Sequence, residues 1–459
     1  MNIKTLNIVA AIAAAASATL PSQAATPQVT SVTMTQPGPG RLVKIDYTFT
    51  GADAVITLDV QTNAPGGAWA SIGGKAVCNA TGEVWKKITN DGTTHKIEWR
   101  PDLSWPDHVI ADGGARAVIT AWTLDNTPDY MVVDISASAQ QNTQKYYPAV
   151  EFLPGGILSN TNYRTGMIVM RKIMAKDVTW MMGSTDLETQ RGSAETTHQV
   201  TLTNNYYIGV FPVTQAQWSL FSTSRKTPSN FKNAEDRAMR PVEQVSYNEI
   251  RNNNALGSAL EDASHYWPES PSDTSFLKLL YNRTGIWFDL PSEAQWEFAA
   301  RAGNGDTKWG DGSGIRNTDR DGNLDRLGRY LNNPSSNSST SPATTISAEE
   351  GGTAVVGSYG QNAWGLYDTA GNVFEWCLDW YAADITGIGG KPNIDTDTPA
   401  NTLSGRLSGT TTQGTNRVIR GGSWNFVASY SRPACRASNA PTARDKHIGI
   451  RLVCTAGLK

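Results

Sequence analysis

Residues 365–376 read GLYDTAGNVFEW, and this segment is the most informative about the fold of the larger part of the chain. Gly371 allows the backbone to turn sharply, and the residues after it predict a buried strand at Glu375-Trp376. Short segments with the same mixture of Gly, Pro, Trp and charged residues lie on both sides of it. They are YIG at 207–209, PVTQ at 212–215, RPV at 240–242, LPSEAQWE at 290–297, RGGSW at 420–424 and GIR at 449–451.

The length and composition of the chain limit the classes of protein to which these segments can belong. The chain has 459 residues, which suggests two to three domains at roughly 150 residues each. The formal net charge is −3, with both signs mixed, so the chain lacks the basic character of a nucleic-acid-binding protein. The 15 Trp argue against disorder.

The first residues predict an export signal. Lys4 precedes an apolar, Ala-rich stretch at 6–20, and Ser22-Gln23-Ala24 offers small residues for cleavage after Ala24. The apolar stretch is too short to span a bilayer, and no later stretch reaches 18 apolar residues. We therefore expect signal peptide 1–24, a secreted or periplasmic protein, and no membrane span.

The rest of the chain divides into two patterns. Residues 26–139 alternate apolar and polar side chains in short runs separated by turns, which predicts an all-β, Ig-like sandwich domain. Residues 140–165 are polar and irregular, which predicts a linker. Residues 166–455 mix helical and strand patterns, which predicts an α+β domain.

Three helices and two loops stand out in the larger domain. Helices are predicted to begin at Thr214, at Ser246 and at Ser292, the last two with a Glu or Gln at the capping-box spacing. The stretches 332–345 and 403–416 are rich in Ser, Thr, Gly and Asn, which predicts exposed loops.

The four cysteines do not have zinc-site spacing. Cys78 lies far from the others, and we expect a free or weakly buried thiol there. In an oxidising compartment, a disulfide among Cys377, Cys435 and Cys454 is expected, with the pairing left open.

Taken in order, the segments quoted above resemble the formylglycine-generating enzyme, or sulfatase-modifying factor, family over residues 166–455. The resemblance implies a C-type-lectin-like fold. It does not cover the N-terminal residues 1–165.

The resemblance also implies oxidation of a sulfatase cysteine by two copper-binding cysteines, three and eight residues after the Ser of the Gly-Gly-Ser motif. Counted from Ser423, these positions hold Phe426 and Ser431. Soft thiolate ligands are what Cu(I) requires. We therefore expect no catalytic residues at these positions and no formylglycine formation. No two of the five His lie four apart, so neither copper nor iron is expected as a cofactor.

Calcium is the metal that the resemblance supports. It implies side-chain oxygens from Asp368 and Glu375 and backbone carbonyls from Gly371 and Val373, and hard oxygen ligands suit this ion. A possible second loop has calcium-loop spacing but Gly328 where the final acid should be. Its candidate ligands are Asn317, Asp319, Asp321 and Asn323.

Three functions stay open from the sequence. The first is an exported binding module for an unknown protein or glycan. The second is an oxidoreductase of the family with altered chemistry. The third is an accessory protein acting on glycans or sulfatases, with the β-sandwich as a dock. For the first, the candidate ligand surface comprises Ser423, Trp424, Asn425, Phe426, Tyr430 and Arg432.

Overall fold

The computed structural model describes residues 25–37, 40–63, 67–110, 113–221, 225–232, 235–251, 271–316, 319–333, 352–385, 393–395 and 415–456. The expected signal peptide, residues 1–24, lies outside the described residues, so its cleavage stays a prediction. Within the described ranges, no helix combines the length and apolarity needed to cross a bilayer.

The N-terminal part forms two antiparallel sheets. Its strands are β1 Gln28–Thr35, β2 Val43–Thr50, β3 Ala54–Asn63, β4 Trp69–Ser71, β5 Thr81–Gly82, β6 Lys86–Ile88, β7 His95–Trp99 and β8 Ala115–Trp122, with one-turn helices α1 Gly74–Val77 and α2 Pro101–Ser104. One sheet has the order β1-β2-β7-β5, and the other β4-β3-β6 with β8 paired to β3. Alternate residues of β2 are buried, so the period-two pattern predicted this strand correctly.

The described residues of the larger part form three further sheets and four α-helices. Its strands are β9 Tyr130–Asp134, β10 Lys145–Tyr147, β11 Met167–Ile173, β12 Val178–Met182, β13 His198–Leu202, β14 Tyr206–Gly209, β15 Phe374–Trp380, β16 Asn393–Asp395, β17 Arg417–Arg420, β18 Arg436–Asn439, β19 Ile448–Gly449 and β20 Val453–Thr455. The sheet orders are β10-β9-β11-β14-β20, β12-β13-β16 and β18-β17-β15-β19. The fold is therefore mixed α/β and mostly strand, in agreement with the predicted class.

The predicted boundary at residue 139 falls between two strands, β9 and β10, of one sheet. Strand β9, which the pattern assigned to the sandwich, pairs antiparallel with β11 of the larger domain, from Met167 opposite Asp134 to Arg171 opposite Tyr130. Met131 and Val133 lie in the same apolar cluster as Trp376 of the segment 365–376. Period-two alternation identifies a strand but does not say which sheet it joins, because that depends on its partners.

The segment predicted as a linker, residues 140–165, is partly regular in structure. It contains β10 and two short 3-10 helices, Val150–Phe152 and Thr161–Arg164. Tyr146, Tyr147 and Tyr163 are buried between the two parts of the chain. Large aromatic side chains bury much apolar surface even in a segment of polar composition. The segment therefore packs as part of the core.

The helices of the larger part are α3 Gln215–Ser219, α4 Tyr247–Ile250, α5 Phe276–Thr284 and α6 Glu293–Arg301. Thr214, Ser246 and Ser292 each complete a capping box, which confirms the predicted helix starts. Helix α5, capped by Ser275 and ended by the left-handed Gly285, was not predicted. Of the two low-complexity stretches, only residues 332–333 and 415–416 are among those described.

Candidate functional site

Three of the recognised segments meet at the buried Glu375. Its carboxylate accepts hydrogen bonds from Arg451 Nε, at 3.0 and 2.9 Å from its two oxygens, and from Trp296 Nε1 at 2.6 Å. All three side chains are almost completely buried. The segments GNVFEW, LPSEAQWE and GIR are therefore joined by one charge-assisted network, which explains why they occur together.

A second buried network lies along α6. Glu297, on the last turns of the helix, accepts hydrogen bonds from Arg301 Nε at 2.8 Å, from the backbone N–H of Gly183 at 2.9 Å, and from Arg420. Arg420 also donates to the backbone carbonyl of Ala434 at 2.9 Å. The network therefore fixes the RGGSW segment against α6.

The predicted calcium loop contains a buried carboxylate, that of Asp368. Asp368 Oδ2 accepts the N–H of Gly357 at 2.7 Å, and Oδ1 accepts Asn372 Nδ2 at 3.2 Å. No ion pair between described residues involves Asp368. Burial raises the pKa of Asp368 from 3.8 to about 6. A cation beside this group would offset its desolvation cost.

The rest of the loop suits a metal less fully. Glu375 already has Arg451 as its cationic partner, although a carboxylate can accept further bonds. Gly371, at φ 100°, approaches the backbone of Arg329 so closely that a Cβ would lie 2.3 Å from its carbonyl oxygen. Among the described residues, no group of three or more His, Cys, Asp or Glu could hold a metal ion. Asp368 is thus the carboxylate of this loop that has no ion-pair partner among the described residues, and calcium binding by the loop stays a prediction.

The possible second calcium loop is held by its own hydrogen bonds. Asp321 accepts N–H groups from Arg316 at 2.6 Å, from Asn323 at 2.8 Å and from Trp309 Nε1 at 3.3 Å. Asn323 Nδ2 donates to the carbonyl of Gly314 at 2.7 Å. Asp319 is exposed, and Asn317 lies outside the described residues. These bonds account for the spacing of the loop without a metal ion.

The two positions where the resemblance expects cysteines differ in their surroundings. Phe426 packs edge-to-face against Phe374, Tyr430 and His447, with ring centroids 5.0–5.4 Å apart. Ser431 is completely buried beside Gly422, and its hydroxyl has no hydrogen-bond partner within the described structure.

The hydroxyl of Ser423 is likewise buried, and the described residues provide it with no partner. Neither serine can supply a thiolate.

The expected disulfide is wrong, because all four cysteines are free. Cys377 lies on β15 and Cys454 on β20, which belong to different sheets, and Cys435 precedes β18. Burial raises the pKa of the Cys435 thiol to about 11, so this group is protonated at neutral pH. Cys78 is half-buried, as expected for the isolated N-terminal thiol.

The candidate ligand surface is smaller than predicted. Ser423, Trp424 and Arg432 are buried, whereas Asn425 and Tyr430 are exposed and Phe426 is half-buried. Arg432 donates to Glu195 at 2.8 Å and to Glu188 at 2.5 Å, so its role is to hold the segment in place. A single run of sequence does not show which of its side chains point outward.

The structure adds two residues that sequence reasoning missed. Leu331 is 43% exposed, and its N–H donates to the carbonyl of Phe426 at 3.0 Å. His447 stacks on Trp424 with centroids 5.3 Å apart. The sequence offered one signal for His447: it lies two residues before the GIR segment, which pairs with the strand at Glu375. Together Leu331, Asn425, Phe426, Tyr430 and His447 form what we call the aromatic patch.

His447 lies at the edge of this patch. Its Nδ1 lies 2.7 Å from Asp445 Oδ1, and this hydrogen bond lowers the pKa of Asp445. Its Nε2 lies 3.4 Å from Asn425 Nδ2 at the exposed edge. The patch therefore offers an imidazole nitrogen, an amide and an aromatic floor.

Comparison with known proteins agrees with this arrangement of segments. Residues 137–456 match the model of the sulfatase-modifying factor enzyme 1-like domain. Formylglycine-generating enzymes of Thermomonospora curvata and Streptomyces coelicolor are each 36% identical, over 169 and 176 residues. These alignments cover 35% and 37% of this chain and 48% and 47% of the relatives, so the chain spans about half the length of the curated relatives it matches.

Among solved structures, Treponema denticola variable protein 1 is 26% identical, with a TM-score of 0.43, over 63% of this chain and 95% of that chain. The family model covers more than two thirds of the chain and contains every recognised segment. The chain therefore belongs to the sulfatase-modifying factor enzyme 1-like domain family.

Proposed function

We propose that this chain is an exported, calcium-stabilised binding module of its family, that it forms no formylglycine, and that the aromatic patch contacts a protein or glycan ligand. The observation that carries the proposal is Phe426. Its ring packs among other aromatic side chains three residues after Ser423, where the family chemistry would need a thiolate.

Cys435, the cysteine nearby, does not replace the two thiolates that the family chemistry needs. Cys435 could supply one ligand, but its buried thiol holds its proton at neutral pH. Two soft ligands are needed to hold Cu(I) for oxygen activation. We therefore propose that this chain lacks the activity of the formylglycine-generating enzymes to which it is similar.

The exposed groups of the patch suit recognition. Tyr430 and Leu331 are 42% and 43% exposed, and Asn425 adds an amide that can donate and accept. Tyr and Asn combine contact area with adaptable hydrogen bonding, as in antibody combining sites. The buried Trp424 and Arg432 hold the segment that carries them, so the patch is pre-organised.

We also propose that the N-terminal strands β1–β8 form an Ig-like sandwich that serves as a dock. Both of their sheets contribute to one apolar cluster, which includes Tyr47 of the first and Leu58 of the second. The same cluster contains Phe211 and Tyr367 of the family domain, so the proposed dock packs against that domain.

We expect EDTA to lower the melting temperature of the protein, because calcium bound only to the folded state stabilises it by about 2.7 kcal/mol at a 100-fold excess over Kd.

Without metal, the raised pKa of Asp368 means that the folded state binds a proton more tightly than the unfolded state. The stability that protonation of Asp368 contributes to the folded state is therefore fully present below about pH 4, and it is lost as the pH rises through about 6.

The calcium test is thermal melting with and without EDTA at pH 7, with bound calcium measured by mass spectrometry. Asp368→Asn should abolish the EDTA effect, whereas Asp319→Asn, in the second loop, should preserve it. Unchanged melting together with no bound calcium would exclude the site.

We expect no aldehyde when the purified protein is incubated with copper, oxygen, reductant and a Cys-x-Pro-x-Arg peptide, because two thiolates are missing. The peptide mass is the readout, and the Thermomonospora curvata enzyme is the positive control. Catalytic aldehyde formation that Cys435→Ser abolishes would contradict the proposal.

The second candidate function is an oxidoreductase with altered chemistry. The two relatives named formylglycine-generating enzyme favour it, as do the unpartnered, buried hydroxyls of Ser423 and Ser431 at the corresponding place. Metal content separates the candidates: calcium alone supports the binding module, and stoichiometric copper or iron supports the oxidoreductase.

A further inference from the structure

A second exposed aromatic surface lies at the end of α5, within the family domain but outside the recognised segments. The rings of Tyr281 and Trp287 are stacked, with centroids 3.7 Å apart and planes 20° from parallel. Trp287 is nevertheless 44% exposed. Because Tyr281 covers one face of the indole, the exposed area lies on the other face and its edge.

The positive charge of Lys278 lies beside the two rings. Lys278 Nζ is 4.9 Å from the ring centroid of Trp287 and 5.0 Å from that of Tyr281. Among the ion pairs that the described ranges contain, none includes Lys278. The ammonium group is therefore available to an anionic group placed against the indole.

Neutral amides complete the surface. The exposed Gln141 donates from Nε2 to the carbonyl of Asn282 at 2.8 Å, and the N–H of Asn142 donates to the carbonyl of Thr284 at 2.9 Å. The side chain of Asn142 lies directly against Gly285, the left-handed residue that ends α5. These contacts hold two amide side chains at the helix end that carries Trp287.

We propose that this surface, the Trp287 platform, binds an anionic carbohydrate of the uronate type. A sugar ring presents C–H groups that pack on an open aromatic face, its carboxylate would pair with Lys278, and its hydroxyls would bond to the amides of Gln141 and Asn142. The site is separate from the aromatic patch and does not depend on the function proposed for it.

Two other kinds of ligand fit this geometry less well. A proline-rich peptide needs a slot between aromatic rings, but here the rings stack on each other and leave none. A methylated lysine needs an aromatic cage without a competing cation, and Lys278 already lies about 5 Å from both rings.

The test is titration calorimetry of the full chain with a galacturonic acid trisaccharide and with a neutral galactose trisaccharide. We expect the acidic sugar to bind more tightly and to lose affinity as salt is raised. Trp287→Ala should weaken its binding at least tenfold. Lys278→Gln should reduce its affinity to that of the neutral sugar.

Matched variants distinguish the loss of a sugar contact from misfolding of the protein. Trp287→Phe retains an aromatic face and should retain most of the binding, which separates stacking from misfolding. Phe426→Ala, in the aromatic patch, should leave uronate binding unchanged. The proposal is overturned if the acidic sugar does not bind at millimolar concentration, if Trp287→Ala binds it as well as the wild type, or if a polyproline or trimethyl-lysine peptide displaces it.

Discussion

Replacing Glu297 with Gln is expected to lower the free energy of unfolding by about 3–5 kcal/mol, because it removes a buried carboxylate that pairs with two buried guanidinium groups. Among the described residues, Arg420 would keep only Glu293, at 3.5 Å, as an ion-pair partner. Glu297 is completely buried and pairs with both Arg301 and Arg420, which are themselves buried. The measurement is urea denaturation followed by Trp fluorescence.

The control for this variant is an exposed ion pair in the same domain. Asp186 lies 3.1 Å from Arg191, and its side chain is 95% exposed. Exposed pairs contribute about 0–1 kcal/mol, so Asp186→Asn should change stability little. If the two variants unfold at the same urea concentration, the α6 network is not essential to the fold.

Removing residues 1–139 is expected to leave a fragment, residues 140–459, that does not fold. The deletion removes β9 from the edge of β11, and with it the buried Met131, Val133 and Ile135. Each such side chain contributes about 1.5–3 kcal/mol when buried, so the three together rival the 5–15 kcal/mol of a typical domain.

The matched fragment is residues 125–459, which keeps β9 and Thr127, whose hydroxyl donates to the carbonyl of Ala456 at 2.9 Å. We expect more soluble, strand-rich protein from this fragment, measured by yield and circular dichroism. A folded 140–459 fragment with the same melting temperature as 125–459 would restore the boundary that the sequence pattern predicted.

Local features of the fold could be predicted from the sequence because their causes are local. The capping boxes at Ser246 and Ser292 depend on residues three apart, and the strand at 43–49 follows from alternation along one segment. The family membership was also predictable, because it depends on the order of short segments that the fold must bring together.

The candidate site was only partly predictable, because exposure and pairing depend on residues far away in the chain. Arg432 was expected at a ligand surface, but Glu188 and Glu195, some 240 positions earlier, bury it. His447 was missed because its contact with Trp424 crosses 23 positions.

The family, the capped helix starts and the absence of thiols at positions 426 and 431 follow from the sequence. That β9 pairs with β11, that the cysteines lie apart, and that Asp368 is buried with no ion-pair partner among the described residues follow from the tertiary structure. The physical reason is that hydrogen-bonding periodicity is written along the chain, whereas sheet partners, burial and charge pairing arise from packing between distant segments.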